Sequence, residues 1–239
     1  MIFAAGKGTR LRPLTNSIPK ALVTVGGITL LERAVRKLES HGFTDIIINV
    51  CHFAGQIVEF LHTHNNFGLN IAISDESDLL LDTGGGLRKA TWFFDDKPFL
   101  VYNVDVLTDL NLEQLYLHHI ESEAMATLAV RSRVTKRYLM TDASGRLTGW
   151  KNVQTGETRT HVPEDRNTQL KAFSGIHVIS PDFFKHMPDE NIFPVMDLYI
   201  NLCANYRINT FDHSSGYWTD VGKPEELAEA ELKVNNMQI

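Results

Sequence analysis

The chain is expected to be an α/β protein, Rossmann-like, with a mostly parallel central sheet and helices on both faces. Three observations lead there. Apolar runs alternate with amphipathic stretches of helical spacing through residues 1–123. The run Asp45–Val50, DIIINV, is β-branched and continuous, as a strand covered on both faces should be. A glycine-rich loop follows the first apolar run directly, and open α/β sheets take their ligands beyond the carboxyl ends of strands.

Each element has its own reason. Met1–Ala5 reads as a strand, although its apolar run is only Met1-Ile2-Phe3. Strands usually run about five or six residues, so either this one is short or the natural chain begins earlier. Leu22–Val25 is a short extended piece closed by Gly26-Gly27. Leu30–Ser40 carries Leu30, Leu31, Ala34, Val35 and Leu38 on one helical face, and Gly42 ends it. Ala54–His64, Gly85–Phe94 and Leu112–Ser122 read as helices, and Leu69–Ser74 and Phe99–Val104 as strands. After about residue 124 the rhythm changes. Ala124–Arg131, Tyr138–Thr141, Leu147–Lys151, Lys171–Ile179 and Tyr206–Asp212 read as strands, and Gln154–Gln169 as a polar loop or hairpin. This second half is therefore expected to hold a small antiparallel excursion. Pro181–His186, Val195–Asn205 and Pro224–Val234 complete the helices. Residues 1–239 are expected to form one domain with halves 1–123 and 124–239.

Bulk properties narrow the function. The net charge of −6 over 239 residues gives no general attraction for nucleic acid or an anionic membrane, so a bound anion needs a local cationic cluster. Two cysteines, Cys51 and Cys203, are too few for a disulfide framework and read as buried thiols. The sequence shows no signal peptide and no apolar run of membrane-spanning length, which makes the cytoplasm the expected compartment. Ten histidines are scattered without metal-ligand spacing, and no Ser-His-Asp or Cys-His set stands out.

The cationic cluster lies in FAAGKGTRLRPLTNSIPK, residues 3–20. Small residues let backbone N–H groups approach an anion. The dinucleotide fingerprint requires glycine at position 11, where this chain has Leu11. A Walker A loop requires Ser or Thr after its lysine, and Lys7 is followed by Gly8. What remains is a loop that delivers Arg10, Arg12 and Lys20 along a path stiffened by Pro13 and Pro19. It suits a polyphosphate with a metal; a solvated basic turn is the alternative. Asp105 follows an apolar strand and Asp220 precedes the last helix, and each taken alone also suits a turn or cap.

The stretch AAGKGTRLRPLTNSIPKALVTVGG resembles the signature loop of the sugar-1-phosphate nucleotidyltransferases. The resemblance extends over nearly the whole chain through FLVYNVDVLTD, GYWTDVGKPEEL, FSGIHVI and LDTGGGLRKA. It is strongest toward single-domain N-acetylmuramate-1-phosphate uridylyltransferases, with mannose-1-phosphate guanylyltransferases close by. The resemblance implies transfer of a nucleotidyl group from a nucleoside triphosphate to a sugar-1-phosphate, with Mg²⁺ and release of pyrophosphate. It makes 1–123 the nucleotide-binding half and 124–239 the sugar-phosphate-binding half. It implies that Ala4, Ala5 and Gly6 meet base and ribose, and that Gly8 and Thr9 cradle phosphates. Arg10 and Lys20 become the catalytic cations, and Asp105 and Asp220 the metal ligands. Thr83, Gly84, Gly85 and Gly86 fall at the nucleobase, although a glycine triplet also suits a flexible helix start. Asn103, Lys151 and Gly175 fall at the sugar phosphate.

The match departs from the family where the sugar binds. Glu-Lys-Pro of many members is Trp150-Lys151-Asn152 here, Tyr-Gly is Tyr138-Leu139, and Asn-Ala-Gly is Phe173-Ser174-Gly175. Trp150 either stacks on a pyranose or belongs to the core, and the more apolar set fits a bulkier or less polar acceptor. Two rivals of other kinds stand beside this reading: a GT-A-like glycosyltransferase, which would not need Arg10 and Lys20, and a nucleotide-sugar sensor without turnover.

Overall fold

Asp45–Val50 forms the strand its composition predicts, with every residue after Asp45 buried. The computed structural model describes residues 1–161 and 166–237, with the side chains described through 234. In chain order its elements are β1 (Ile2–Phe3), β2 (Thr24–Val25), β3 (Ile28–Thr29), α1 (Leu30–Glu39), β4 (Asp45–Val50), α2 (Ala54–Thr63), β5 (Asn70–Asp75), α3 (Asp82–Lys89), β6 (Phe99–Asn103) and β7 (Val106–Thr108). There follow α4 (Leu112–Ser122), β8 (Ala126–Arg131), β9 (Arg137–Thr141), β10 (Leu147–Asn152), β11 (Thr158–Thr160), β12 (Gln169–Ile179), α5 (Val195–Leu202), β13 (Ile208–Asp212), β14 (Trp218–Asp220) and α6 (Pro224–Met237). Residues 162–165, within the expected loop 154–169, lie outside the described part.

The contacts gather the chain into two compact units, each assembled from separate stretches of sequence. The first comprises Met1–Leu81, Tyr102–Leu110 and Tyr217–Ile239. The second comprises Asp82–Val101 and Asn111–Gly216.

In the first unit β1 lies between two parallel neighbours, with Ile2 opposite Ile48 of β4 and Tyr102 of β6. β4 pairs in parallel with β5 through all six of its residues. The first strand is two residues long, Ile2–Phe3. The helix α1 starts where Thr29 Oγ1 accepts the Glu32 N–H at 3.1 Å. It buries Leu30, Leu31, Ala34, Val35 and Leu38, the face its spacing predicts. Three short strands, β3, β7 and β14, have no counterpart in the sequence pattern. β7 and β14 form an antiparallel ribbon in which Asp220 opposes Val106 and Trp218 opposes Thr108.

In the second unit β8 is flanked by β12, antiparallel, and β13, parallel. β12 continues into an antiparallel set with β9, and β10 joins β9 to β11. This is the antiparallel excursion. The helix expected over Gly85–Phe94 instead spans Asp82–Lys89, with its three glycines inside it. Packing explains the shift. A Cβ on Gly84 would lie 2.2 Å from the Phe193 ring, so α3 requires glycine to approach that residue. Cys203 is buried as expected, whereas Cys51 is half-buried, and burial pushes both thiols up.

Two histidines are built into the second unit's core. His119 Nε2 donates to Ser180 Oγ at 3.0 Å, because that hydroxyl already donates to the Ala124 carbonyl; Nδ1 then accepts from Thr127 Oγ1 at 3.0 Å. His177 Nδ1 meets the Tyr199 hydroxyl at 2.8 Å. Burial lowers His119 to about 4 and His177 to about 3. The unfolded chain therefore takes up protons below about 6.5 that the folded chain refuses, and the stabilisation is complete above that pH. It is lost as pH falls from 6.5 toward 4, by about 1.4 kcal/mol per pH unit per histidine. Thermal unfolding midpoints should fall over that window, and His119→Gln should make the slope shallower. A flat profile would contradict this account.

Candidate active site

The site starts where β1 stops. Ala4 and Ala5 are buried, Gly6 and Lys7 are exposed, and the chain turns at Gly8 with φ +61°. The Gly8 carbonyl accepts the Leu11 N–H at 2.9 Å and the Thr15 hydroxyl at 2.8 Å. A Cβ at Gly8 would lie 3.0 Å from both Lys20 Cβ and Thr15 Cγ2. Glycine is thus required here twice over, by φ and by close approach. Leu11, which excludes a dinucleotide fingerprint, is fully buried and anchors the loop. At Gly6, by contrast, a Cβ would meet nothing within 4 Å, so the chain itself makes no demand for glycine there.

Lys20 follows Pro19 in a short 3-10 turn, Lys20–Leu22. Its Nζ donates to Asp105 Oδ2 in a hydrogen-bonded ion pair whose side chains are 11% and 20% exposed. Asp105 is held in turn by its surroundings. It occupies the turn after β6, and Tyr102, the last fully buried residue of that strand, donates its hydroxyl across the turn to the Val106 carbonyl at 2.9 Å. Burial, with Asp105 nearby, pushes the Tyr102 phenol well up, so it stays a donor. The Asp105 carbonyl accepts the Val221 N–H at 2.8 Å, which continues the β7–β14 ribbon by one rung. That rung makes Asp105 and Asp220 neighbours on adjoining strand ends.

Arg10 is exposed but directed. Its Nη2 lies 2.8 Å from the position a Gly222 Cβ would take, and Glu226 Oε2 lies 3.1 Å from that position. Glu226 also accepts the Gly222 N–H at 3.0 Å. The guanidinium therefore lies over Gly222, two residues beyond Asp220. Gly222 and Glu226 carry no signal of their own in the sequence beyond their place in the segment GYWTDVGKPEEL. Gly8, Arg10, Lys20, Asp105 and Asp220 all belong to the first unit. Asn103 ends β6 there, half-buried opposite Phe3.

The two aspartates fit a hard divalent cation that draws the rest of its shell from phosphate and water. No group of three or more His, Cys, Asp or Glu able to hold a metal by itself occurs among the described residues. Arg10 and Lys20 stand at the same edge, where an anionic ligand would need them.

The remaining expected residues belong to the second unit. The N–H groups of Gly84 and Gly85 both point to the Phe193 carbonyl, at 2.8 and 3.3 Å, and Thr83 Oγ1 accepts the Val195 N–H at 2.9 Å. These groups have partners within the protein. The half-buried Lys151 stands on β10 opposite Tyr138 and Thr158. Trp150 precedes it and so presents to the other face of the strand. There Trp150 opposes Leu139 and Arg159, and all three line a cavity of about 380 Å³ together with Tyr138, Phe173 and Arg133. Gly175 takes φ +78° in β12, where the pairing with β8 shifts register.

A family model described as nucleotidyl transferase matches residues 1–143. The chain is 30% identical to a UTP–glucose-1-phosphate uridylyltransferase of Synechocystis over 264 residues, covering all of this chain and 65% of that protein. It is 30% identical over 238 residues to an N-acetylmuramate alpha-1-phosphate uridylyltransferase of Neisseria meningitidis, covering 97% of this chain and 96% of that protein. A mannose-1-phosphate guanyltransferase of Yarrowia lipolytica is 29% identical over 232 residues, with 95% of this chain and 61% of that protein covered. Among solved structures, a UDP-glucose pyrophosphorylase superposes with a TM-score of 0.78 at 17% identity, over 100% of this chain and 98% of that one, a likeness of fold.

The turn at Gly8 yields a direct test. Gly8→Ala forces a left-handed alanine, which costs about 1–2 kcal/mol before the contact with Lys20 is counted. Urea unfolding should show a lower midpoint, and an unchanged midpoint would refute the packing described.

Proposed function

The chain belongs to the nucleotidyl transferase family and is a sugar-1-phosphate nucleotidyltransferase, and on that premise we propose that it is Mg²⁺-dependent and transfers a uridylyl group to an N-acetylated sugar-1-phosphate. The observation that carries this reading is the gathering of Arg10, Lys20, Asp105 and Asp220 in one unit, at the carboxyl ends of β1 and β6.

The nucleophile is a phosphate monoester with a second pKa of about 6, so at neutral pH it needs no general base. The obstacle is repulsion between two anions and the charge that builds on the leaving pyrophosphate. Lys20 has three N–H donors, so it can keep one on Asp105 and offer others to the α-phosphate as that centre becomes pentacovalent. Arg10 presents its planar fork to the β- and γ-phosphates and to the departing pyrophosphate. Gly8 and Thr9 bring backbone N–H groups close to the same oxygens. Mg²⁺ held by Asp105 and Asp220 would supply further charge neutralisation at the transferring phosphate. In-line attack on phosphorus then breaks the bond to pyrophosphate as the bond to the sugar phosphate oxygen forms.

For the base, segment 83–86 is assigned to the nucleobase, with the Gly84 and Gly85 amides engaged by the Phe193 carbonyl. For the acceptor, Lys151, Asn103 and Gly175 are assigned to the sugar phosphate. The 380 Å³ cavity sets Arg133, Arg137 and Arg159 and a single carboxylate, Asp197, against Trp150 and Phe173. Arg159 is paired with Asp197 at 2.7 Å. An acylated sugar bearing a second negative group suits that lining, and the N-acetylmuramate named for the Neisseria relative is a sugar acid. Guanylyl transfer to mannose-1-phosphate is the second reading, supported by the Yarrowia relative.

A matrix of four nucleoside triphosphates against a panel of sugar-1-phosphates, scored by pyrophosphate release, tests the assignment. UTP with N-acetylmuramate-1-phosphate is expected to give the highest kcat/KM, and a preference for GTP with mannose-1-phosphate selects the second reading. Asp105→Asn should lower metal-dependent turnover by about 10²–10³-fold while the circular dichroism spectrum is kept. Normal turnover by that variant would refute the metal assignment.

A further inference from the structure

Glu76 is a fully buried charge with no task in the chemistry above. It follows β5 and has 0% exposure. Its two oxygens serve different parts of the first unit. Oε1 accepts from Asn49 Nδ2 at 2.8 Å, and Oε2 accepts the Leu81 N–H at 3.1 Å. Asn49, on β4 and 3% exposed, turns its Oδ1 to the Ala4 N–H, also at 2.8 Å.

A carboxylate with both oxygens accepting is used as the ionised acid; a protonated one would place a donor among donors. An asparagine amide has two ends, and the wrong end would set its NH₂ against the Ala4 N–H. The carboxylate of Glu76 removes that choice, because only the NH₂ end of Asn49 can face it. The bonds from Leu81 through Glu76 and Asn49 to Ala4 form one buried polar network, and low local dielectric makes such a network costly to leave incomplete. Its two ends are informative. Ala4 is the first residue of the glycine loop, and Leu81 immediately precedes segment 82–86.

We propose that Glu76 is a positioning residue for the nucleotide: acting through Asn49, it sets the point at which the phosphate loop leaves β1, and through Leu81 the point at which the chain leaves for α3. The inference rests on reading the loop as the nucleoside triphosphate site. It also alters one expectation, since the Ala4 N–H is already used inside the protein and only the carbonyl of Ala4 remains for base or ribose.

The test uses the full chain, titrated with UTP and with GTP as a second probe, alongside KM measurements for both substrates. The variants are Glu76→Gln, Asn49→Asp and the two together. In Glu76→Gln the new NH₂ must face either the Asn49 NH₂ or the Leu81 N–H. Asn49→Asp alone sets two carboxylates in contact. In the double variant the new amide at position 76 can accept from Leu81 and donate to the new carboxylate at position 49. That carboxylate still accepts from Ala4, so the three bonds named above are remade with the charge moved from one side chain to the other. Glu76→Gln should weaken nucleotide binding about tenfold and leave KM for the sugar phosphate within about twofold. The double variant should return to within about threefold of the parent.

A Glu76→Gln chain that binds nucleotide as the parent does would overturn the proposal, as would an equal loss for both substrates. If Glu76→Gln does not fold, the double variant decides: nucleotide affinity near the parent's sustains the relay, and weak binding or failure to fold rejects it. A parent chain that binds neither UTP nor GTP would instead sink the reading of the loop itself.

Discussion

The contact between Lys20 and Asp105 is the interaction on which the site depends. The two residues stand 85 positions apart and are mostly withdrawn from water. Such a pair adds little net stability, because desolvation offsets much of the attraction, but losing one partner strands the other. Its value lies in placement. It ties the end of the cationic loop to the turn after β6, and through the Val221–Asp105 hydrogen bond to the strand that carries Asp220. Lys20 is thus held against Asp105, with Asp220 on the adjoining strand, by the fold itself. This preorganisation is where most of the catalytic benefit of charged sites arises.

The loop itself shows how packing selects residues that a binding motif alone would not explain. Gly8 bears the positive φ and the close approach of the Lys20 stem, so it shapes the chain as well as exposing an amide. Leu11 seals the loop to the core, and Thr15 fastens the Gly8 carbonyl from behind. In α3 the same lesson is sharper. The glycine triplet invites a reading as an open backbone surface for a base. Two of its amides are in fact occupied by the Phe193 carbonyl, and Gly84 is glycine because the Phe193 ring lies against it. Glycine permits both ligand approach and chain approach, and composition does not distinguish them.

Electrostatics divide the buried histidines from the site. His119 and His177 are held neutral in the core of the second unit with their own partners, in keeping with a reaction that needs no base. Trp150 and Lys151 illustrate a further division. Adjacent on one strand, they face opposite sides, and Trp150 lines a cavity whose arginines outnumber its carboxylates.

Much of the architecture was legible in the order of residues alone. The β-branched run of β4, the capped and spaced face of α1 and the alternation of strand and helix are local signals, and local sterics and burial enforce them. Arg10 and Lys20 stand out in the opening loop motif, and Asp105 and Asp220 in two later segments, so the order of residues alone singles them out as candidates. The ribbon of β7 and β14 was not legible: three-residue strands carry too little periodicity, and their partner lies over a hundred residues away. Nor could order alone show that Arg10 lies over Gly222, that the Gly84 amide is engaged, or that Glu76 reaches Ala4 through Asn49. Those facts depend on which distant groups close packing and hydrogen-bond satisfaction bring into contact, and only the folded chain decides that.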